Sequence, residues 1–169
     1  SIKLLRPNYD YIIADLPHDF NEVALIALDL ADIILLVIAP ELSSVRAAAA
    51  ALDTYDKLGY SPDKIKLVLN NTFPRYGLPR DRIEQALKKT VTITLPYSQD
   101  VPIQAINLGK PLLQHQPHEQ ISVMLEDFAF FLSNESHKKI RPEKPTQGWK
   151  RVYDRFMATR KNKEKQSQR

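Results

Sequence analysis

The residues best suited to chemistry stand where apolar runs stop. Tyr11-Ile12-Ile13-Ala14 ends at Asp15, and the run IILLVIA at 33–39 ends at Pro40-Glu41. The run at 65–69 ends at Asn70-Asn71, and VTITL at 91–95 ends at Pro96-Tyr97-Ser98. A carboxylate at the end of a buried parallel strand can hold a metal-bound water beside a phosphate. The same Asp can simply cap a turn, since an apolar run followed by Asp is a common pattern. In open sheets of parallel strands, ligands bind outside the carboxyl ends of the strands. These four turns are therefore the candidate site.

Other chemistries lack the residues they need. The absence of cysteine removes a disulfide scaffold, a thiolate zinc site, an iron–sulfur cluster and a Cys nucleophile. Neither Gly-x-Ser-x-Gly nor His-Glu-x-x-His occurs. Of the histidines His18, His115, His118 and His137, the middle two are separated by helix-breaking Gln116-Pro117 and have no third ligand near in sequence, so all four are read as surface loop residues. Ser43 and Ser44 suit a helix N-cap better than a nucleophile.

The elements that must position the turns alternate. The run 33–39 is apolar throughout, as expected for a strand covered on both faces. Helical patterns fall at about 21–30, 43–58, 79–89, 101–108 and 119–133. Five alanines favour the second, Gly59 sits where it would terminate, and Pro79 suits a first helical position. Strand and helix in alternation imply right-handed crossovers. The fold class is α/β, a mostly parallel sheet with helices on both faces, followed by a C-terminal amphipathic helix. The chain's 169 residues suit one domain, and 43% hydrophobic content excludes global disorder. The longest apolar run is strand-sized and no secretory signal opens the chain, so the expected location is the cytoplasm. The first residue is Ser, which suggests a processed start or a fragment.

Charge divides the chain. From Lys138 onward, 12 Lys and Arg face 3 Asp and Glu, whereas residues 1–137 carry 12 positive and 17 negative charges. The expected organisation is a domain at 1–135, a Pro-broken linker at 136–148 and a basic tail at 149–169. In the tail, Trp149, Val152, Tyr153, Phe156 and Met157 share one helical stripe, flanked by Lys150, Arg151, Arg155, Arg160 and Lys161. Three uses stay open. The stripe can dock on its own domain or a partner, lie weakly on an anionic membrane, or contact nucleic acid through phosphates and stacking.

The segments YDYIIADLP, ALDLADIILLVIAPELSSVRAA, LGYSPDKIKLVLNN and TLPYSQDVPIQAINLGKPLL together resemble the second half of a ParA/MinD-type P-loop ATPase. Within that superfamily they look closest to the pilus-assembly branch called CpaE or TadZ. The likeness covers residues 9 to about 133, with four landmarks in the family's order. It implies that Asp15 is the Walker B or switch II aspartate, meeting magnesium through a water, with Pro17 in the same motif. Asn70 would help recognise the base, and Pro96, Tyr97 and Ser98 would belong to the loop that closes over it. Glu41, Ser43, Ser44 and Arg46 would lie near the interface of a nucleotide-sandwich dimer. Asn107-Leu108-Gly109-Lys110-Pro111-Leu112 matches the family's closing Asn-x-Gly-x-Pro-Leu.

The chain also departs from the pattern. His18-Asp19 replaces a small residue and Gly, Asn71 replaces a basic residue, and Ser98 replaces an acidic one. The Gly-rich phosphate loop with its signature Lys is absent, since only Gly59, Gly77, Gly109 and Gly148 occur, none clustered. The switch I aspartate is absent as well. ATP and magnesium are thus expected in a longer protein, while this chain alone is expected to be inactive. Its expected partners are a missing N-terminal half or a homodimer partner, and an anionic surface at the inner face of the membrane through the tail. Nucleic acid stands behind these. A non-catalytic scaffold that keeps the half-fold is the alternative.

Overall fold

A computed structural model describes residues 2–167, with side chains from 3 to 160. Residues 1, 168 and 169 of the expected domain and tail, and the Lys161 side chain, lie outside the described residues. The elements are α1 Ile2–Leu5, α2 Glu22–Leu30, β1 Ile34–Ile38, α3 Leu42–Lys57, β2 Ile65–Asn70, α4 Arg80–Leu87, β3 Val91–Leu95, α5 Asp100–Asn107, α6 Leu112–His115, α7 Gln120–Leu132, α8 Glu135–Lys139 and α9 Gln147–Ser167. The three strands form an open parallel sheet in the order β1-β2-β3. The α/β class expected from alternation is the class observed.

The described residues fall into two units, one comprising those up to Val68 together with Leu78–Thr92, the other Leu69–Gly77 together with those from Ile93 onward. In the first unit, Leu28, Ile34, Tyr55 and Ile65 form a buried cluster against which Leu16, Leu36, Leu52 and Tyr60 pack. Asn21 starts α2 by accepting a hydrogen bond from the Ala24 amide at 2.9 Å. Gly59, at φ +75°, ends α3 in the left-handed region where a Cβ would strain the backbone. The Lys88 backbone, at φ +48°, does the same for α4 without being glycine. Arg80 and Glu84 fix the start of β3, because Glu84 accepts from the Val91 amide at 2.8 Å and Arg80 donates to the Val91 carbonyl at 2.9 Å. The Val91 amide, then Arg80, holds the Glu84 carboxyl below its ordinary range.

Four local expectations need correction. The segment 11–14 joins no sheet, and Ile13 is 94% exposed. A strand is stable only where neighbouring strands pair its backbone, and apolar character supplies no such neighbour. Second, β1 is not covered on both faces: Ile34 and Ile38 are buried, while Leu35 and Val37 are 45% and 59% exposed. The alternation means that only one side of the pleat meets a packed layer among the described residues. Third, Glu41, not Ser43 or Ser44, occupies the N-cap of α3, and its side chain makes no capping bond. Ser44 Oγ instead accepts from the Ala39 amide at 2.9 Å, bracing the exit of β1. Pro79 likewise stands at the N-cap of α4 rather than at its first helical position.

In the second unit, α8 occupies part of the expected 136–148 linker, and α9 begins two residues earlier than the expected tail. His115 ends α6 half-buried, with a buried Nε2 that has no hydrogen-bond partner, so it is not a surface loop residue. No helix of the described residues is long and apolar enough to cross a membrane.

Candidate functional site

In the first unit, Asp15 is exposed, and its neighbour Leu16 packs against the buried cluster. Phe20, five residues on, meets Tyr55 edge-on at 5.7 Å. An extended segment is thus pinned by apolar anchors on either side of Pro17, with its carboxylate free to face water. Glu41, Ser43 and Arg46 are exposed around the N-terminus of α3, while Ser44 is half-buried by its bond to Ala39. The Leu78 amide donates to the Pro40 carbonyl at 2.7 Å, fixing the turn after β1. An exposed acid and an exposed arginine at the start of one helix are compatible with a polar interface.

In the second unit, the tips of two strands are joined. The Asn71 amide donates to the Leu95 carbonyl at 3.1 Å, so the Asn70-Asn71 turn lies beside the Pro96-Tyr97-Ser98 turn. Asn70, Pro96 and Ser98 are half-buried and Tyr97 is 38% exposed. The Tyr97 hydroxyl donates to the Gln99 side-chain carbonyl. An amide side chain, a proline turn and an aromatic ring thus stand on two adjacent strand ends, residue types that can offer donors, an acceptor and a flat face to a planar polar ring. Among the described residues no group of three or more His, Cys, Asp or Glu is arranged to hold a metal ion.

The tail is docked. Val152 is 5% exposed, and Phe156 meets Phe130 of α7 with ring centroids 5.2 Å apart. Trp149, Tyr153 and Met157 are half-buried, while Phe156 remains 42% exposed. Glu126, 5% exposed in the middle of α7, takes Arg151 and Arg155 together, the latter at 2.9 Å, and Arg155 also reaches Asp127 at 2.8 Å. Arg151 further approaches the Leu113 carbonyl at 3.5 Å. Gly148, in the first turn of α9, lies against this carboxylate: a Cβ there would sit in ordinary contact, 3.4 Å from Glu126 Oε1. Burial alone would raise the Glu126 carboxyl, but the two guanidinium groups outweigh it and hold it below its ordinary range. Of the three uses open for the stripe, docking on its own unit is the one these contacts favour, and two tail arginines are occupied in it.

Sequence reasoning missed this cluster, although a signal existed. Glu126-Asp127 interrupts an otherwise apolar helix, and Arg151 and Arg155 repeat at a spacing of four on the tail. It placed Asn71 in a candidate turn but gave it no role there, whereas the Asn71 backbone is what ties the two turns together.

No family model matches the chain. The septum site-determining protein MinD of Thermotoga maritima is 30% identical over 116 residues, covering 66% of this chain and 42% of that protein. A ParA family ATPase from Chlorobium tepidum superposes with a TM-score of 0.70 at 25% identity, over 76% of this chain and 53% of that one. The MinD–MinC cell division complex of Aquifex aeolicus gives 0.65 at 25% identity, over 85% and 58%. The chain thus spans less than half of the curated relative and between half and three-fifths of these solved chains. In sequence over part of its length, and in fold, the chain is a homologue of the MinD and ParA-family ATPases.

Proposed function

We propose that these residues are the C-terminal part of a MinD/ParA-type ATP-binding protein and supply the base-holding side of its nucleotide site. Asn70 and the Pro96-Tyr97-Ser98 turn hold the base, and Asp15 meets magnesium through a water and senses the γ-phosphate. Glu41, Ser43, Ser44 and Arg46 contribute to an ATP-dependent homodimer interface. That dimer positions a cellular apparatus in division, partitioning or pilus assembly. The phosphate-cradling amides come from a Gly-rich loop outside these residues, so this chain alone does not hydrolyse ATP. The observation that carries the proposal is the 3.1 Å bond from the Asn71 amide to the Leu95 carbonyl, which holds the two base-contacting turns side by side.

Calorimetry of the polypeptide translated from the whole reading frame, titrated with ATP and magnesium, tests it. Saturable heat is expected, with Asn70→Ala weakening binding about tenfold through one lost amide contact. Absence of heat would favour a second reading, a non-catalytic scaffold, for which the lack of clustered glycines speaks. The docked tail bears on membrane attachment. Contact of the Val152 stripe with an anionic surface requires α9 to leave α7 first.

A further inference from the structure

A recess beside the first turns of α9 uses tail residues that the contact with α7 leaves over. It holds about 220 Å3 and is lined by Arg141, Trp149, Lys150, Tyr153 and Asp154. Trp149 and Tyr153, one turn apart, stack with centroids 4.7 Å apart and planes inclined by 13°, so that the recess is bordered by the outer side of an aromatic pair. Arg141 arrives from the segment between α8 and α9. Among the described residues, no hydrogen bond or ion pair engages the Arg141 guanidinium, the Lys150 ammonium or the Asp154 carboxylate.

Two other helical pairs of opposite charges four apart close on each other, Asp53 with Lys57 at 2.6 Å and Arg80 with Glu84 at 2.9 Å. Lys150 and Asp154 have the same spacing, yet remain separate parts of one lining. Two cations, one carboxylate and an aromatic wall match a ligand that carries both an anion and a cation. A phosphate ester satisfies Arg and Lys together, and an ammonium satisfies a carboxylate and an aromatic face. The volume lies under the roughly 300–1,000 Å3 that encloses a whole drug-sized ligand, which suits a headgroup.

We propose that this recess binds a zwitterionic phosphate ester of the phosphoethanolamine kind, its phosphate on Arg141 and Lys150 and its ammonium against Asp154 and the ring wall. The ester is either a free metabolite or the headgroup of a phospholipid. Trp149 is the only tryptophan in the chain, so its emission reads the recess directly.

The full chain is titrated with phosphoethanolamine, inorganic phosphate and ethanolamine. Parallel titrations use phosphatidylcholine vesicles with and without phosphatidylethanolamine. The ester is expected to saturate the emission change at a concentration about tenfold below either half-ligand. Asp154→Asn weakens the ester about tenfold and leaves inorganic phosphate unchanged, whereas Arg141→Ala weakens both. Both side chains are exposed, so the variants keep the fold, which circular dichroism checks. A response to the free ester assigns a soluble ligand, and a response only to vesicles containing phosphatidylethanolamine assigns the lipid. Unchanged emission with every probe, or inorganic phosphate binding as tightly as the ester, overturns the proposal.

Discussion

The contact between α7 and α9 and the run 11–17 are assembled from similar material, apolar side chains set beside charges. In the first, Val152 is buried, Phe130 meets Phe156, and Glu126 takes two arginines from α9. In the second, Leu16 finds a core while Ile13 stays 94% exposed, and the outer side of β1 keeps Val37 59% exposed. The difference is whether the partner lies within the described chain. A helix carries its own backbone hydrogen bonds and needs only a face to rest on, whereas a strand needs a neighbour for each row of amides. The closed contact is complete with what the chain brings, whereas the open side keeps Ile13 and Val37 exposed among the described residues.

Breaking the closed side should have the largest effect. Glu126→Ala removes the carboxylate shared by Arg151 and Arg155 and should cost about 3 kcal/mol, toward the low end for a buried pair because both arginines reach water. Chemical denaturation measures the loss, and limited proteolysis should show earlier cleavage within α9. If α9 stays as protected as in the unaltered chain, the cluster does not hold it.

Acid sharpens the same point more gently. The Glu126 carboxyl is held below its ordinary range, so its contribution is fully present above the unfolded value of about 4.3 and is lost as pH falls through the lower folded value. Glu84, depressed by the Val91 amide and Arg80, titrates in the same direction. Tyr153 and Trp149 fluorescence followed from pH 6 to pH 2 should report loosening of α9 only below about pH 4. Loosening centred near neutral pH would assign the change to another group.

On the open side, Val37→Lys should change stability by no more than about 0.5 kcal/mol, because Val37 is 59% exposed among the described residues. The same change should reduce self-association of the chain, measured by sedimentation, since an exposed apolar strand face promotes it. A large loss of stability without any change in association would mean that this face is already covered.

How much of this was legible follows the same division. The three strands, the Gly59 stop and the alternation of elements were readable because each depends on a few neighbouring residues. The run 11–14 looked like the other three, since periodicity reports apolar content and not the presence of a neighbouring strand. Ser44 was read as a cap, but its hydroxyl faces the exit of β1, a choice set by how the strand meets the helix. The Glu126 cluster joins residues 25 and 29 positions apart, beyond any local pattern. Of the candidate site, Asn70 and Pro96 were placed by their strand ends, and the bond that joins their turns came only with the structure.

The central claim is that the turns at Asn70-Asn71 and Pro96-Tyr97-Ser98 hold a nucleotide base. Photo-crosslinking of the whole translated protein with 8-azido-ATP and magnesium, followed by peptide mapping, tests it most directly. Adducts confined to residues 70–71 and 96–98, and abolished by excess ATP, are the predicted result. Adducts that map elsewhere in the chain, or none that ATP competes away, would contradict it.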